Sequence, residues 1–171
     1  MSNLNRTAYT FLEHPFDPLY DEYSRILILG SFPSVKSREQ AFFYGHPQNR
    51  FWRLLALLFG EPVPQTIPEK RALCHTHHIA LWDVIASCEI VGSSDSSIKN
   101  AKANDISTIL SVAPIERIFV NGKTASKLYD RYILPQIGRP AVCLPSTSPA
   151  NAAWNMERLY EAWKIIAENC I

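Results

Sequence analysis

The chain has 171 residues, of which 47% are hydrophobic and 19% are charged, and its formal net charge is +1 at pH 7. This length suits one globular domain with a sizeable core, and the near-neutral charge excludes a uniformly basic nucleic-acid coat but not a local basic cleft. The apolar runs are too short to span a membrane and the N-terminal sequence MSNLNRTAYTFLEH lacks the apolar segment of a signal peptide, so we expect a cytoplasmic protein without a membrane partner. We also expect a monomer.

Short runs rich in Ile, Leu and Val alternate along the chain with segments of helical spacing. Strands are predicted at residues 25–29, 78–82, 117–120 and 141–144, and helices at residues 50–59, 68–74, 106–112, 123–134 and 153–167. Alternation of this kind predicts an α/β fold, a three-layer α/β/α sandwich around a central, mostly parallel four-stranded sheet.

Each predicted strand runs into a stretch of small or polar residues, which reads as a turn. These stretches are GSFPS, DVIASCE, NGKTAS and PSTSPAN. Ligands of parallel sheets bind beyond the carboxyl ends of the strands, so the four stretches would form a rim rich in hydroxyls, backbone N–H groups and lysine, which suits phosphates. The alternative is that Gly, Ser and Pro merely end the strands.

The segment FYGHPQNRFW, residues 43–52, places aromatic, amide and basic side chains between a turn and a helix. Tyr44 could stack on a planar base. Asn49 could hydrogen-bond a water or a base, cap the helix that begins at Arg50, or do both. Phe51 and Trp52 are expected to face the core.

The sequence lacks the motifs that are typical of several other enzyme classes. The sequence has no GxGxxG, no P-loop and no GxSxG, which disfavours nucleotide-dependent transfer and serine hydrolysis. The four cysteines are scattered without a CxxC pair, so reduced thiols are expected. The cluster CHTHH, residues 74–78, has no second ligand pair at a standard spacing, and we expect no metal site.

Two blocks carry a specific resemblance. HPQNRFW, with GSFPS upstream, resembles the first active-site motif of the uracil-DNA glycosylase superfamily, particularly its mismatch-specific branch, in which GINPG precedes HPxNRFW. LPSTSPAN resembles the second motif, which presses on DNA beside an extruded nucleotide, and IALWDV and IFVNGKTA resemble the third and fourth strand-end elements. The resemblance implies one such domain over residues 1–171, with residues 1–24 as an N-terminal extension.

The departures from the superfamily pattern indicate which branch of the superfamily this sequence resembles. Phe32 stands where uracil-removing members carry a water-activating Asp or Asn, a change similar to the hypoxanthine-DNA glycosylase branch, in which the amide corresponding to Asn49 is the expected catalytic group. Leu144 replaces the histidine that some branches have in the second motif. Only Pro149 and Ala150 stand where related enzymes insert a Leu or Arg wedge into the base stack.

The resemblance therefore implies a base excision repair enzyme that flips and excises a deaminated base, chiefly hypoxanthine from deoxyinosine, without metal or cofactor. Asn49 is the catalytic candidate and would position the water. The expected base pocket comprises Gly30, Ser31, Phe32, Pro33, Tyr44 and Asp83, although Asp83 is also a candidate turn cap. The expected DNA contacts are Ser34, Lys123, Ser146, Ser148, Pro149 and Ala150. The alternatives are a mismatch-specific uracil or thymine glycosylase and a non-catalytic module that binds DNA damage.

Overall fold

The computed structural model describes residues 8–168. The described β-strands are β1 (Thr10–Glu13), β2 (Ile26–Gly30), β3 (Ile79–Asp83), β4 (Ile85–Ile90), β5 (Lys99–Ala103), β6 (Arg117–Asn121) and β7 (Val142–Leu144). The α-helices are α1 (Val35–Gln40), α2 (Phe51–Phe59), α3 (Ile67–Thr76), α4 (Ser107–Leu110), α5 (Lys123–Tyr132), α6 (Leu134–Ile137) and α7 (Met156–Glu168), and Asp95–Ser97 form a 3₁₀ turn.

The centre of the molecule is a four-stranded parallel sheet, as predicted. Its strand order is β3-β2-β6-β7, and every neighbouring pair in it is parallel. Strand β2 is buried along its whole length because both faces of the sheet are covered. This burial explains why its sequence is continuously apolar rather than alternating.

The two faces of the sheet belong to two separate hydrophobic clusters. Ile26 and Ile28 of β2 pack with residues of α2, α3 and α7 on one face. Leu27 and Leu29 pack on the other face with residues of α4, α5 and β4. The period-two alternation of β2 side chains thus divides the core between the two outer layers, and the α/β layered architecture predicted from the sequence is confirmed.

The second outer layer contains an additional antiparallel sheet, of order β1-β4-β5, which the sequence analysis did not anticipate. The segment DVIASCE was interpreted as a turn, and that interpretation is wrong. Asp83 ends β3, Val84 is the connector, and Ile85–Ile90 form β4. Strand β4 pairs with β1 from Thr10↔Ile90 to Glu13↔Ser87, so part of the segment set apart as an N-terminal extension lies within this sheet.

The carboxyl ends of the parallel strands lie side by side. In the register of the sheet, Gly30 of β2 is opposite Asp83 of β3, and Asn121 of β6 is opposite Leu144 of β7. The segments that follow these strands therefore meet at one edge, where parallel sheets bind their ligands.

Two further sequence expectations concern the cysteines and membrane spans. Cys74, Cys88 and Cys143 carry thiols rather than disulfides, and Cys170 lies outside the described residues. Within residues 8–168, no helix is both long enough and apolar enough to cross a membrane.

Candidate active site

The residues proposed from the sequence converge on one cleft. It has a volume of about 900 Å³ and lies at the carboxyl edge of the parallel sheet. Of the proposed site residues, those that line it are Ser31, Phe32, Pro33, Ser34, Tyr44, Asn49, Asp83, Lys123, Ser146, Ser148, Pro149 and Ala150. Gly30 lies behind the lining, against Asp83 and Tyr44.

The Asn49 side chain is held through its carbonyl oxygen. The backbone N–H of Phe51 donates to Asn49 Oδ1 at 2.9 Å, and the Thr147 hydroxyl donates to the same oxygen at 2.8 Å. Helix α2 begins at Phe51 with Arg50 at the N-cap, so Asn49 is not the N-cap that was expected; from one residue earlier it still satisfies an N–H of the first helical turn. Asn49 Nδ2 makes no hydrogen bond to a described residue, so its two hydrogens are left for a molecule in the cleft.

A buried relay fixes the direction of these bonds. Asn121 Nδ2 donates to Thr147 Oγ1 at 3.0 Å, and Thr147 N–H donates back to Asn121 Oδ1 at 3.1 Å. Because Thr147 Oγ1 already accepts from Asn121, its single hydrogen is directed to Asn49. Thr147 is fully buried, so water does not compete for these bonds. The amide of Asn49 therefore has one allowed orientation, with nitrogen toward the cleft.

Arg50 holds the loop of residues 145–154 that forms one wall of the cleft. Its guanidinium donates to the carbonyl oxygens of Thr147 (3.3 Å), Ser148 (2.9 Å), Asn151 (3.2 Å) and Trp154. Its backbone N–H adds a fifth bond, to Thr147 O at 3.1 Å. The planar guanidinium thus organises this loop without reaching into the cleft itself.

Ser146 and Ser148 accept hydrogen bonds within this loop, and each keeps its hydroxyl hydrogen as a donor. Ser146 Oγ accepts from Ser148 N–H, and Ser148 Oγ accepts from Ala150 N–H, each at 3.1 Å. Both hydroxyl hydrogens remain for an anion. Gly122, at φ 102°, lets this loop approach because a Cβ there would lie 3.1 Å from Ser146 Cβ. The Ser34 hydroxyl instead caps α1 and donates to Ser37, which leaves it no free hydrogen.

Tyr44 and Phe51 form a stacked aromatic pair in the cleft wall. Their ring centroids are 3.9 Å apart and their planes are inclined by 22°. One face of Tyr44 is therefore used by Phe51, and Phe51 and Trp52 lie in the core as predicted. The Tyr44 hydroxyl is buried without a hydrogen-bond partner among the described residues. Asn121 lies near it and opposes, by hydrogen bonding, the rise that burial causes in the pKa of Tyr44. Thr147 uses one Nδ2 hydrogen and one Oδ1 lone pair of Asn121, so each atom keeps capacity for a second bond.

Asp83 is buried at the back of the cleft and pairs with His14. Asp83 Oδ2 lies 2.8 Å from His14 Nε2. The structure gives this carboxylate a histidine partner instead of the turn N–H expected of a cap. The second oxygen, Oδ1, faces Gly30.

A second carboxylate, Asp95, stands at the mouth of the cleft. It comes from the 3₁₀ turn between β4 and β5 and accepts a hydrogen bond from Ser31 Oγ at 2.8 Å. Burial of the carboxyl raises its pKa above the ordinary value, and the negative charge of Asp83 adds to this rise, while the Ser31 hydrogen bond opposes it.

Phe32 occupies the apolar side of the cleft. Its ring is 7% exposed, packs edge-on against His14 with centroids 6.1 Å apart, and lies 5.7 Å from the guanidinium carbon of Arg38. Arg38 also donates to Pro33 O at 2.8 Å, which ties α1 to the GSFPS turn. An apolar ring at this position cannot accept a proton from water.

Five residues of the site were not selected from the sequence. They are His14, Arg50, Asp95, Asn121 and Thr147. Arg50, Asn121 and Thr147 lie inside motifs that were quoted, but their contacts run between segments up to 104 residues apart and no local pattern reveals them. His14 and Asp95 depend on the antiparallel sheet, which was missed.

Comparison with known proteins identifies similar chains. The family model described as the uracil DNA glycosylase superfamily matches residues 18–168. A curated protein named hypoxanthine DNA glycosylase from Methanosarcina acetivorans is 35% identical over 91% of this chain and 98% of its own length. Another of the same name, from Methanosarcina barkeri, is 37% identical over 80% of this chain and 86% of its own.

A solved structure is also similar. It is a solution NMR structure of a candidate uracil DNA glycosylase from Methanosarcina acetivorans, with a TM-score of 0.79 and 32% sequence identity, and the match covers 94% of this chain and 99% of that one.

The Arg50 contacts generate a prediction about the loop. Arg50→Lys keeps the charge but loses the fork geometry, so we expect a loss of about 1–3 kcal/mol in the free energy of unfolding. Hydrogen exchange followed by mass spectrometry should show faster exchange of the amides of residues 147–154. Arg53→Lys is the matched control because exposed Arg53 makes one long bond, 3.5 Å to Pro47 O. If the Arg50→Lys variant shows unchanged exchange, Arg50 does not hold the loop of residues 145–154.

Proposed function

The chain belongs to the uracil DNA glycosylase superfamily, and on that premise we propose that it is a DNA glycosylase that removes hypoxanthine from deoxyinosine and leaves an abasic site. The observation that carries this proposal is the fixed Asn49 amide, with nitrogen toward a cleft that apolar Phe32 also lines. The names of the two Methanosarcina relatives support the same substrate. Its partner is DNA that contains deaminated bases, and we propose that it acts as a monomer in the cytoplasm, on nucleoid DNA.

Chemistry on a base requires that the nucleotide leave the helix. The cost is a few kcal/mol and is smallest for a mispaired base such as hypoxanthine. A cleft of about 900 Å³ has room for a purine and its sugar. The Tyr44 ring, backed by Phe51, supplies a surface on which the flipped base stacks, and Ser31, Phe32 and Pro33 form the adjoining wall.

Phosphates next to the flipped nucleotide are held by the loop of residues 145–154 and the start of α5. Ser146 and Ser148 donate their free hydroxyl hydrogens, and exposed Lys123 supplies a positive charge. Pro149 and Ala150 stand at the tip of this loop, where they fill the space beside the stack without a long wedge. These proposed phosphate contacts position the nucleotide and do not discriminate between bases.

The orientation of Asn49 indicates how it acts. The oxygen already accepts two hydrogen bonds, whereas the nitrogen presents donors, and an N–H donor does not remove a proton from water. We therefore assign Asn49 to the departing purine, where a donated hydrogen bond stabilises the negative charge that develops. This assignment replaces the positioning of water as its main role.

The reaction is a hydrolysis. The bond between the sugar C1′ and the purine N9 breaks, its electron pair leaves with the purine, and the sugar becomes oxocarbenium-like next to the anionic phosphates. Water then bonds to C1′, and the proton that it loses is taken up by the purine. The step needs no metal and no redox cofactor.

A substrate comparison tests the proposed function. The protein is incubated with duplexes that contain deoxyinosine, deoxyuridine or no lesion, and abasic sites are quantified by alkaline cleavage. We expect abasic sites from deoxyinosine at a rate well above that from deoxyuridine. Uracil release equal to or faster than hypoxanthine release would identify a uracil or thymine glycosylase instead. Binding without any abasic product would identify a non-catalytic module.

The Asn49→Asp variant tests the amide nitrogen of Asn49 separately from its oxygen. Asp is as good a cap as Asn, so Asn49→Asp should keep a normal melting temperature, but it replaces the N–H donor by a negative acceptor. We expect single-turnover excision of hypoxanthine to fall by about a hundredfold or more, roughly 2.7 kcal/mol in transition-state stabilisation. A group that activates water would work as well or better as aspartate, so full activity of Asn49→Asp would overturn the assignment.

The relay that orients Asn49 gives a separate prediction. Thr147→Val removes the hydroxyl at nearly constant volume, so Asn49 loses one of its two restraints and excision should slow by about ten- to a hundredfold. Thr147→Ser keeps the hydroxyl and should excise within about threefold of the wild type. Single-turnover rates and thermal melts of both variants provide the measurement. Equal rates for Thr147→Val and the wild type would remove the relay from the mechanism.

A further inference from the structure

An acidic residue at the mouth of the cleft, Asp95, has no part in holding the base or the phosphates. It lies in the turn of residues 91–98, between β4 and β5, and it lines the cleft. Ser31 Oγ donates to Asp95 Oδ1 at 2.8 Å, whereas Oδ2 makes no hydrogen bond to a described residue. One oxygen of the carboxylate is therefore fixed, and the other is left for a molecule in the cleft.

The turn that carries Asp95 is anchored to helix α1. Val35 N–H donates to Ser93 Oγ at 2.8 Å, and the Arg38 guanidinium donates to Gly92 O at 3.3 Å. Both donors belong to the helix that follows the GSFPS segment of the cleft wall. These bonds hold the Asp95 carboxylate in place relative to that wall.

The depth of the two cleft carboxylates differs. A flipped nucleotide enters a cleft base first, so the base lies deepest, the sugar follows it, and the phosphates stay at the rim. Asp83 is buried at the back, whereas Asp95 is exposed at the mouth. A group at the depth of Asp95 therefore meets the sugar rather than the deep end of the base.

Hydrolysis at the sugar C1′ releases a proton from water, and few groups in the cleft can accept it. The histidines and carboxylates among the described residues that line the cleft are His46, Asp83 and Asp95. Gln48 N–H donates to His46 Nδ1 at 3.1 Å, so the ring hydrogen is on Nε2 and this histidine presents a donor. Asp83 is paired with His14 at the back of the cleft. Asp95 is the acceptor that remains at the mouth.

We propose that Asp95 is a catalytic residue whose free Oδ2 accepts a proton from the water that attacks the sugar C1′. The inference rests on the proposed function and deepens it by naming the general base. The water oxygen bonds to C1′, and the bond from C1′ to the purine N9 breaks with its electron pair on the purine. The water proton passes to Asp95 Oδ2 and then to the departed purine, so the carboxylate is restored and the overall hydrolysis is unchanged.

The surroundings of Asp95 suit a general base. Desolvation of the carboxyl, with the charge of Asp83, raises the pKa of Asp95, and a carboxylate of higher pKa is a stronger base. Asp83 and its histidine partner face it from the back of the cleft. The Tyr44 hydroxyl and the Cys88 thiol also face it, and because desolvation raises the pKa of each, both stay protonated. Arg38 on α1 stays positively charged.

A pH profile of single-turnover hypoxanthine excision tests the assignment. The carboxylate form of Asp95 is the active one, so the wild-type rate should rise with pH through a limb above the ordinary range of aspartate and then level off. Asp95→Asn keeps an oxygen for the Ser31 hydroxyl but accepts no proton, so its rate should fall about a hundredfold or more and the limb should disappear. Its Kd for a duplex with an uncleavable 2′-fluoroarabino analogue of deoxyinosine should stay within about threefold of the wild type. Asp130→Asn is the matched control because it removes the same charge from an exposed position on α5 outside the cleft, and it should excise like the wild type.

Ser31→Ala supplies an independent arm. The Ser31 hydrogen bond favours the charged carboxylate, so its loss should raise the pKa of Asp95 and move the limb to higher pH. Wild-type activity of Asp95→Asn, persistence of the limb in that variant, or a wild-type rate that falls as pH rises through the limb would overturn the proposal. If a thermal melt shows that Asp95→Asn is unfolded, the wild-type limb and its shift in Ser31→Ala decide. Absence of deoxyinosine excision by the wild type at every pH would instead contradict the proposed function.

Discussion

The orientation of one side chain, the amide of Asn49, depends on two hydrogen bonds to the same oxygen. Phe51 N–H belongs to the first turn of α2, and the Thr147 hydroxyl belongs to a loop that follows the last strand of the parallel sheet. Both donors must be in place for the amide nitrogen to face the cleft. The Arg50 contacts to the loop carbonyls and the Asn121 contacts to Thr147 are the means by which the fold secures the second donor.

The fixed orientation of the Asn49 amide determines which polar groups can act on a base in the cleft. Phe32 provides an apolar wall where a water-activating group would otherwise stand, so the polar chemistry of the cleft comes from the Asn49 donor and from the carboxylates of Asp83 and Asp95. In the proposed reaction the Asn49 donor stabilises the departing base. The serines and the lysine at the rim act on phosphates, which are common to every DNA sequence.

The sequence predicted the parallel sheet and the cleft because both follow from local patterns. Strand β2 is uniformly apolar, and the segments after β2, β6 and β7 have turn residues that end at one edge of the sheet. The antiparallel sheet was missed because only Val84 separates β4 from β3, and the sequence DVIASCE resembles a turn more than a strand.

The contacts that orient the polar groups could not be derived from local patterns. Thr147 meets Asn49 across 98 residues, and His14 meets Asp83 across 69, so neither pair leaves a periodic signal. From the sequence alone, Asn49 could be a helix cap, a catalytic residue or both. Arg50 takes the N-cap position, but the Asn49 oxygen still bonds the N–H of Phe51 in the first turn of α2, while its nitrogen remains for the cleft.

A crystal structure with an uncleavable deoxyinosine duplex is the most direct test of the central claim. The account predicts that hypoxanthine lies in the cleft, that Asn49 Oδ1 still accepts from Phe51 N–H and Thr147 Oγ1, and that Asn49 Nδ2 is within hydrogen-bond distance, about 3 Å, of an acceptor atom of the purine. An Asn49 amide that is turned with its oxygen toward a water at the sugar C1′, or a base bound outside this cleft, would contradict it.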